Sequence, residues 1–187
     1  MRVNFVNLIL GKRGTGKTVY TKQVIEAYHK RHVLQKILIL DTFDHPAYSG
    51  VPEISANMVS RWNRPSVYRI FQGNPDENLS IIQKYMNNAL IVFEDAGKYI
   101  RKNLQVDVRQ FIIDSKQKNL DLLFIFHGFA NTPPEMFGYT DTLTLFKVGA
   151  SPEYRKAEIY NFDEIFEAWK KVNESTNPYE KITIRIN

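Results

Sequence analysis

Cysteine is absent from the 187-residue sequence. Disulfide bonds, thiol catalysis and cysteine-ligated zinc sites are therefore excluded. The 4 histidines are scattered and do not have the spacing of metal ligands. No apolar run approaches the roughly twenty residues that cross a bilayer. Residues 1–4 lead directly into a predicted strand, which argues against a signal peptide. Together these absences predict a cytoplasmic protein without a membrane segment.

Blocks of like charge are also missing. The formal net charge is +5, but nowhere do five or more basic residues stand together. A mild basic excess permits a polyanionic partner without requiring one. The hydrophobic fraction of 43% is ordinary for a soluble globular chain, and no internal repeat divides the sequence. Length and composition therefore predict one domain that spans residues 1–187.

A glycine-rich motif follows the first apolar run. Residues 11–18, GKRGTGKT, match the pattern G-x-x-x-x-G-K-[ST], with a predicted strand before them and a predicted helix over residues 19–28. Glycines let the backbone curl so that its N–H groups converge on phosphate oxygens, and the helix start adds a positive dipole. The sequence therefore predicts a nucleoside triphosphate site. The predicted phosphate contacts are Gly11, Lys12, Arg13, Gly14, Thr15, Gly16, Lys17, Thr18 and Val19.

Four side chains carry the predicted chemistry. We expect Lys17 to reach the β/γ-phosphates of ATP and Thr18 to hold Mg²⁺. The apolar run 89–93 ends in Glu94 and Asp95, and parallel strands place ligands at their carboxyl ends. Glu94 is therefore predicted to orient Mg²⁺ through its water shell, and Asp95 to polarise the attacking water. The usual order of such a pair, aspartate before glutamate, is reversed here.

Two further residues are candidates for catalysis. His127 follows the apolar run 120–126, where it either donates a hydrogen bond to phosphate or water, or caps the strand end. Arg109 shares one face of a predicted helix, 106–118, with Lys116, and Lys118 follows. Arg109 is the first choice for a cation that acts on a neighbouring subunit, because guanidinium binds phosphate in a fork. A solvated basic face is the alternative.

Hydrophobic patterning predicts an α/β fold. Strands are predicted from apolar or alternating runs and helices from a period near 3.6 residues. The predicted strands cover residues 5–10, 36–41, 66–71, 89–93, 120–126, 142–148 and 181–186, and the further helices cover 75–88, 106–118 and 162–172. Residues 42–65 are predicted as loop with a short helical turn near 54–61. Alternating strands and helices indicate a mostly parallel central sheet, with the last strand at an edge.

The order of these motifs resembles the HerA/FtsK superfamily of P-loop ATPases. It is most similar to the small packaging ATPases of tailless icosahedral viruses and to the Zot-like phage assembly proteins. Lys116 and Lys118 stand where that group carries a basic pair before its sensor strand, and His127 stands where its sensor is usually glutamine. The resemblance implies a three-layer RecA-like fold, in which the sensor strand lies between the P-loop strand and the Glu94 strand.

The resemblance also implies a function. Members of that group form ring oligomers, commonly hexamers, that use ATP and Mg²⁺ to drive double-stranded DNA through a central pore. Capsid or portal vertex proteins would then be partners, in the host cytoplasm or the virion. Because a packaging motor must accept every sequence, we expect cationic contacts to phosphates, with Lys98, Arg101 and Lys102 as pore candidates. The alternative is that these three face solvent or cap a helix.

Two other functions remain open at the level of sequence. A small-molecule kinase, such as a nucleoside or nucleotide kinase, also begins with a P-loop. Such kinases usually carry an arginine-rich lid late in the chain, whereas residues 128–141 contain no arginine. A non-catalytic nucleotide switch is the third interpretation, and the paired Glu94 and Asp95 favour hydrolysis over it.

Overall fold

The computed structural model of the chain describes residues 4–41, 43–101 and 103–186. Its strands are β1 (Val6–Leu10), β2 (Lys36–Asp41), β3 (Val67–Ile70), β4 (Ala89–Glu94), β5 (Leu120–Phe126), β6 (Thr142–Phe146) and β7 (Lys181–Arg185). Its α-helices are α1 (Lys17–Arg31), α2 (Pro75–Tyr85), α3 (Val106–Asp114), α4 (Glu135–Tyr139) and α5 (Phe162–Glu174). Short 3₁₀ turns cover Pro46–Tyr48, Ala56–Arg61, Ala96–Lys98, Phe129–Asn131 and Glu153–Arg155. Within the described ranges, no helix is both long and apolar enough to cross a membrane.

The strands form one sheet in the order β3-β2-β4-β5-β1-β6-β7. All neighbours are parallel except β6 and β7, which pair antiparallel at the edge. The β5 strand lies between β1 and β4, as the family resemblance predicts. Every residue of β5 is buried, which explains its continuous apolar sequence, because parallel strands are covered on both faces.

Side chains that alternate along each strand build a core on each face of the sheet. On one face, Ile9 and Ile125 pack with Ile25 of α1. On the other, Leu8 and Phe124 pack in one cluster, which also receives side chains from α2, α3 and α5. The period of two along a strand thus sends neighbours in sequence to opposite cores. The α/β fold is three-layered, as predicted.

Two helices end earlier than the periodicity predicts, and a left-handed asparagine follows each of them. The α3 helix ends at Asp114 instead of residue 118, and α2 ends at Tyr85 instead of residue 88. Asn119 and Asn88 have φ of 55° and 49° and lie next to the strands that follow. Asparagine tolerates this conformation better than most residues, so each one reverses the chain tightly into a buried strand.

Candidate active site

The loop between β1 and α1 depends on three glycines. Gly14 and Gly16 have φ of 80° and 91°, the left-handed region that glycine enters without strain. Gly11 is required for a different reason: a Cβ built on it would lie 2.6 Å from Cβ of Phe146 and 2.9 Å from Oγ1 of Thr15. The loop is therefore pressed against β6, and the Lys12 N–H donates to the carbonyl of Lys147 at 2.8 Å.

Lys17 folds back onto this loop. Lys17 is only 7% exposed. Its Nζ donates to the carbonyls of Gly11 at 2.6 Å and Lys12 at 3.0 Å. Burial lowers the pKa of Lys17, while the charges of Glu94 and Asp95 act in the opposite direction. A poorly solvated cation in a glycine-rich loop at the start of a helix is suited to bind phosphate oxygens.

Each carboxylate oxygen of Glu94 accepts a hydrogen bond from one hydroxyl group. Oγ1 of Thr18 donates to Oε1 at 3.1 Å, and the Tyr48 hydroxyl donates to Oε2 at 3.1 Å. Burial raises the pKa of Glu94, and these hydroxyls together with His45 and Lys17 counteract that rise. Burial and the charge of Glu94 raise the pKa of Tyr48, so the tyrosine hydroxyl remains a donor.

The pair formed by Thr18 and Glu94 suits Mg²⁺. A hydroxyl oxygen and a carboxylate oxygen 3.1 Å apart are hard ligands of the kind this ion prefers. Among the described residues, no group of three or more His, Cys, Asp or Glu side chains forms a complete metal cage. That arrangement agrees with the way Mg²⁺ binds in nucleotide sites, through one or two protein ligands and the substrate phosphates.

Asp95 and His127 meet at the ends of neighbouring strands. Oδ1 of Asp95 lies 3.6 Å from Nε2 of His127. Asp95 has φ of 57° and directly precedes the 3₁₀ turn Ala96–Lys98. Both side chains remain partly exposed, so water reaches them. An accessible carboxylate beside an imidazole is an arrangement that can orient a water molecule.

These side chains line one cavity of about 620 Å³, within the range of small-molecule sites. Of the residues predicted from sequence, those in the lining are Arg13, Gly14, Gly16, Lys17, Thr18, Val19, Glu94, Asp95 and His127. Gly11, Lys12 and Thr15 belong to the same loop but lie outside the lining. Arg109, on α3, does not line it either. Its Nη2 lies 3.9 Å from Oε1 of Glu135.

The segment after β2 contributes residues that the sequence patterns did not predict. Asp41, Phe43 and His45 also line the cavity, and the Tyr48 hydroxyl donates to Glu94. Asp41 is buried and accepts hydrogen bonds from the His45 N–H at 2.8 Å and from Arg69 at 3.3 Å. The available signal was Asp41 itself, a carboxylate at the carboxyl end of a buried strand.

The predicted pore cations differ in their surroundings. Nζ of Lys98 lies 2.8 Å from the ring centroid of Phe43, which lines the cavity. Arg101 pairs with Asp76 at 3.2 Å on the surface. Lys102 lies outside the described residues. Of the other basic candidates, Lys116 is exposed and Lys118 donates to the carbonyl of Gln83.

Comparison with known proteins gives matches at the level of structure. No family model and no curated protein matches the sequence. The genome packaging NTPase B204 from Sulfolobus turreted icosahedral virus 2, in complex with ATP-gammaS, matches with a TM-score of 0.75 and 15% identity, over 100% of this chain and 94% of that one. The same NTPase with AMPPCP matches with a TM-score of 0.78 and 15% identity, over 98% and 93%. This chain has the fold of those NTPases.

VirB4 of Thermoanaerobacter pseudethanolicus is a more distant match, with a TM-score of 0.59 and 9% identity, over 97% of this chain and 88% of that chain. The resemblance inferred from motif order is thus confirmed in the fold, because a packaging NTPase and a VirB4 protein are structural neighbours. Neighbours with ATP-gammaS and AMPPCP bound support nucleotide binding by this fold.

Proposed function

We propose that the chain hydrolyses ATP with Mg²⁺ in the cavity between the P-loop and the ends of β4 and β5. The observation that carries the proposal is the convergence of Lys17, Thr18, Glu94, Asp95 and His127 on that cavity. Phosphoryl transfer to water needs a cation at the phosphates, ligands for Mg²⁺ and a group that orients the water. Each of these requirements has a candidate side chain here.

Lys17 and the loop backbone bind the phosphates in this proposal. Nζ of Lys17 would exchange the carbonyls of Gly11 and Lys12 for oxygens of the β- and γ-phosphates. Thr18 and Glu94 would hold Mg²⁺, which when bound neutralises charge on the β- and γ-phosphate oxygens. Tyr48 keeps its hydrogen bond to Glu94 and so orients this carboxylate after Thr18 turns toward the metal.

Asp95 is the proposed base, and His127 the proposed sensor of the γ-phosphate. Asp95 accepts a hydrogen bond from the attacking water and directs a lone pair of that water toward phosphorus. His127, 3.6 Å from Asp95, donates to the γ-phosphate or to the same water. Although aspartate is shorter than glutamate, Asp95 lines the cavity, and its backbone there is left-handed.

We further propose that hydrolysis drives double-stranded DNA through a ring oligomer. The support is the fold shared with a genome packaging NTPase and the net charge of +5. Lys98, next to the cavity residue Phe43, would link a DNA contact to the state of the site. Capsid or portal proteins as partners, and a host or virion location, follow from this proposal alone.

One set of assays tests both parts of the proposed function. ATP turnover is measured with and without duplex DNA for the wild type, for Asp95→Asn and for the exposed control Asp163→Asn. Asp95→Asn should bind ATP normally but lose about a hundredfold or more in turnover, because a base acts mainly in the transition state. Wild-type turnover in Asp95→Asn would remove this aspartate from the mechanism.

Duplex DNA should raise turnover, and the triple alanine variant of Lys98, Arg101 and Lys102 should lose that increase while basal turnover survives. Its salt dependence of DNA binding should also flatten, because phosphate contacts release counterions. Alanine at Lys22, Lys30 and Arg31, which are exposed on α1, is the matched control. If ATP turnover never responds to DNA, the proposed DNA translocation is wrong and only the proposed ATP hydrolysis stands.

A kinase is disfavoured by the packing of residues 128–141. Phe129, Met136 and Phe137 of this segment are fully buried, and Arg155 donates to the carbonyls of Thr132 at 2.5 Å and Ala130 at 3.2 Å. A segment built into the core in this way does not close over a substrate as a kinase lid does.

A further inference from the structure

An exposed tyrosine packs against the last glycine of the P-loop. Tyr179 lies between α5 and β7 and is 63% exposed. A Cβ built on Gly16 would lie 3.3 Å from Cδ1 of Tyr179, so the ring covers the backbone at the start of α1. One part of the ring is thus held by the loop that binds phosphates, and the remainder is open to solvent.

The segment that carries Tyr179 is ordered by its own hydrogen bonds. The Tyr179 N–H donates to Oδ1 of Asn177 at 3.0 Å, and the Glu180 N–H donates to the carbonyl of Asn177 at 3.2 Å. Lys147 connects the segment to the P-loop, because its side chain donates to the carbonyl of Ser175 and its carbonyl accepts from the Lys12 N–H. The ring therefore has a defined place beside the loop before a ligand arrives.

Sheet order determines which end of a nucleotide faces Tyr179. Glu94, Asp95 and His127 follow β4 and β5, on one side of β1, whereas β6 and β7 lie on the other side. A triphosphate whose γ-phosphate faces Asp95 crosses the start of α1 and extends its nucleoside toward β6 and β7. Tyr179 lies on that side, next to Gly16 and two residues before the start of β7.

We propose that Tyr179 is the stacking platform for the base of the bound nucleoside triphosphate. This inference rests on the proposed function, since it requires the phosphates to occupy the P-loop. A free aromatic face attracts any flat base, because every base has a π-face, and stacking by itself does not read hydrogen-bonding groups. The subsite therefore does not select among bases, and ATP and GTP both benefit from it.

The test compares ligands that have a base with one that lacks it. Calorimetry measures ATP, GTP and inorganic tripolyphosphate binding to the wild type, Tyr179→Ala and Tyr179→Phe, with Tyr160→Ala as a control at another exposed tyrosine. Tyr179→Ala should weaken ATP and GTP about tenfold, at the lower end of what base–aromatic stacking contributes. Tripolyphosphate affinity should stay within about twofold, and Tyr179→Phe should match the wild type for all three ligands.

Two results overturn the inference alone. If Tyr179→Ala lowers the affinity for ATP and for tripolyphosphate equally, the ring only supports Gly16. If its affinity for ATP is unchanged, the base binds elsewhere. Failure of the wild type to bind either ATP or tripolyphosphate would instead overturn the proposed function, and the inference with it.

Discussion

At the scale of single residues, Glu94 is the group whose surroundings say most about the site. Its two carboxylate oxygens each accept a hydroxyl, one from the P-loop and one from the segment after β2. In the proposed mechanism, only the Thr18 hydroxyl would have to move for Mg²⁺ to bind, whereas the Tyr48 hydroxyl would stay on Glu94. Tyr48 would then act through Glu94, as a positioning residue.

Replacing Tyr48 by phenylalanine should lower kcat about tenfold and leave the ATP dissociation constant within about twofold. The buried ring keeps its packing, but Glu94 loses a donor that is worth roughly 1.5–3 kcal/mol to a charged group. Steady-state kinetics measures kcat, and ATP titration measures the dissociation constant. Tyr68→Phe, on the ring that packs against Trp62, is the control. An unchanged kcat would show that Thr18 alone positions Glu94.

The surroundings of Tyr99, which include the carboxylates of Asp41 and Asp95, make the stability of the fold depend on pH in alkali. Burial, followed by the charges of Asp41 and Asp95, raises the pKa of Tyr99 to about 12. The folded protein thus disfavours the tyrosinate more than the unfolded chain does, whose tyrosine pKa is near 10. Stability supplied by neutral Tyr99 is complete below about pH 10 and is lost as the pH rises through about 12.

Tyr99→Phe should therefore resist alkali better than the wild type. Between about pH 8 and about pH 11, the wild type should lose about 1 kcal/mol more unfolding free energy than the variant, which carries no ionisable group at this position. Urea denaturation at the two pH values measures the difference. Parallel losses in both proteins would mean that Tyr99 ionises in the fold as readily as in the unfolded chain.

At the scale of elements, strands were the most predictable part of the structure. Parallel strands are covered on both faces, so β2, β4 and β5 have continuous apolar sequences, and the polar residues that follow β4 and β5 were predicted to line one site. Asp41, at the end of β2, was not predicted to join them. The contribution of His45 and Tyr48 was not predictable, because residues 42–65 have no periodic pattern and their approach to Glu94 depends on how the loop packs. Helix ends were likewise not predictable from periodicity, because α2 and α3 give way to local turns before Asn88 and Asn119.

The contact between the P-loop and β6 makes Gly11 the least replaceable glycine of the motif. Alanine there places a methyl group 2.6 Å from Cβ of Phe146. Neither backbone can move freely, because Gly11 directly follows β1, Phe146 ends β6, and these two strands are hydrogen-bonded neighbours. Gly11→Ala should lower the free energy of unfolding by about 1–3 kcal/mol, as overpacking does. It should also weaken ATP binding by about tenfold.

Gly50→Ala is the matched control, because a Cβ on Gly50 meets no atom within 4 Å. Thermal unfolding and ATP titration of both variants provide the measurement. If Gly11→Ala binds ATP and unfolds like the wild type, the close approach to Phe146 does not constrain the loop.

At the scale of the whole molecule, an oligomer would complete the site. Lys17 is the buried cation in the cavity, while Arg109 lies outside it on α3. Nε of Arg109 is buried without a hydrogen-bond partner among the described residues, and Nη2 lies 3.9 Å from Glu135. In the proposed ring, this partly exposed arginine would bind a phosphate on a neighbouring subunit, the role predicted from the sequence.

Mixing Arg109→Ala subunits with Lys17→Ala subunits should restore part of the ATP turnover that each variant lacks. A mixed ring contains interfaces at which an intact P-loop receives an intact arginine. Turnover across mixing ratios is the readout, and a mixture of Lys17→Ala with the exposed Arg64→Ala serves as control. Absence of recovery at every ratio, with oligomer mass unchanged, would assign Arg109 to its own subunit or to no catalytic role.

Release of phosphate from ATP by the purified protein, with and without Mg²⁺, tests the proposed activity most directly. The wild type should release phosphate only when Mg²⁺ is present. Lys17→Ala should lose both ATP binding and turnover, because the buried cation that faces the β- and γ-phosphates is gone. Equal phosphate release by Lys17→Ala and the wild type, or no release by the wild type with Mg²⁺ and DNA, would contradict an ATPase at this cavity.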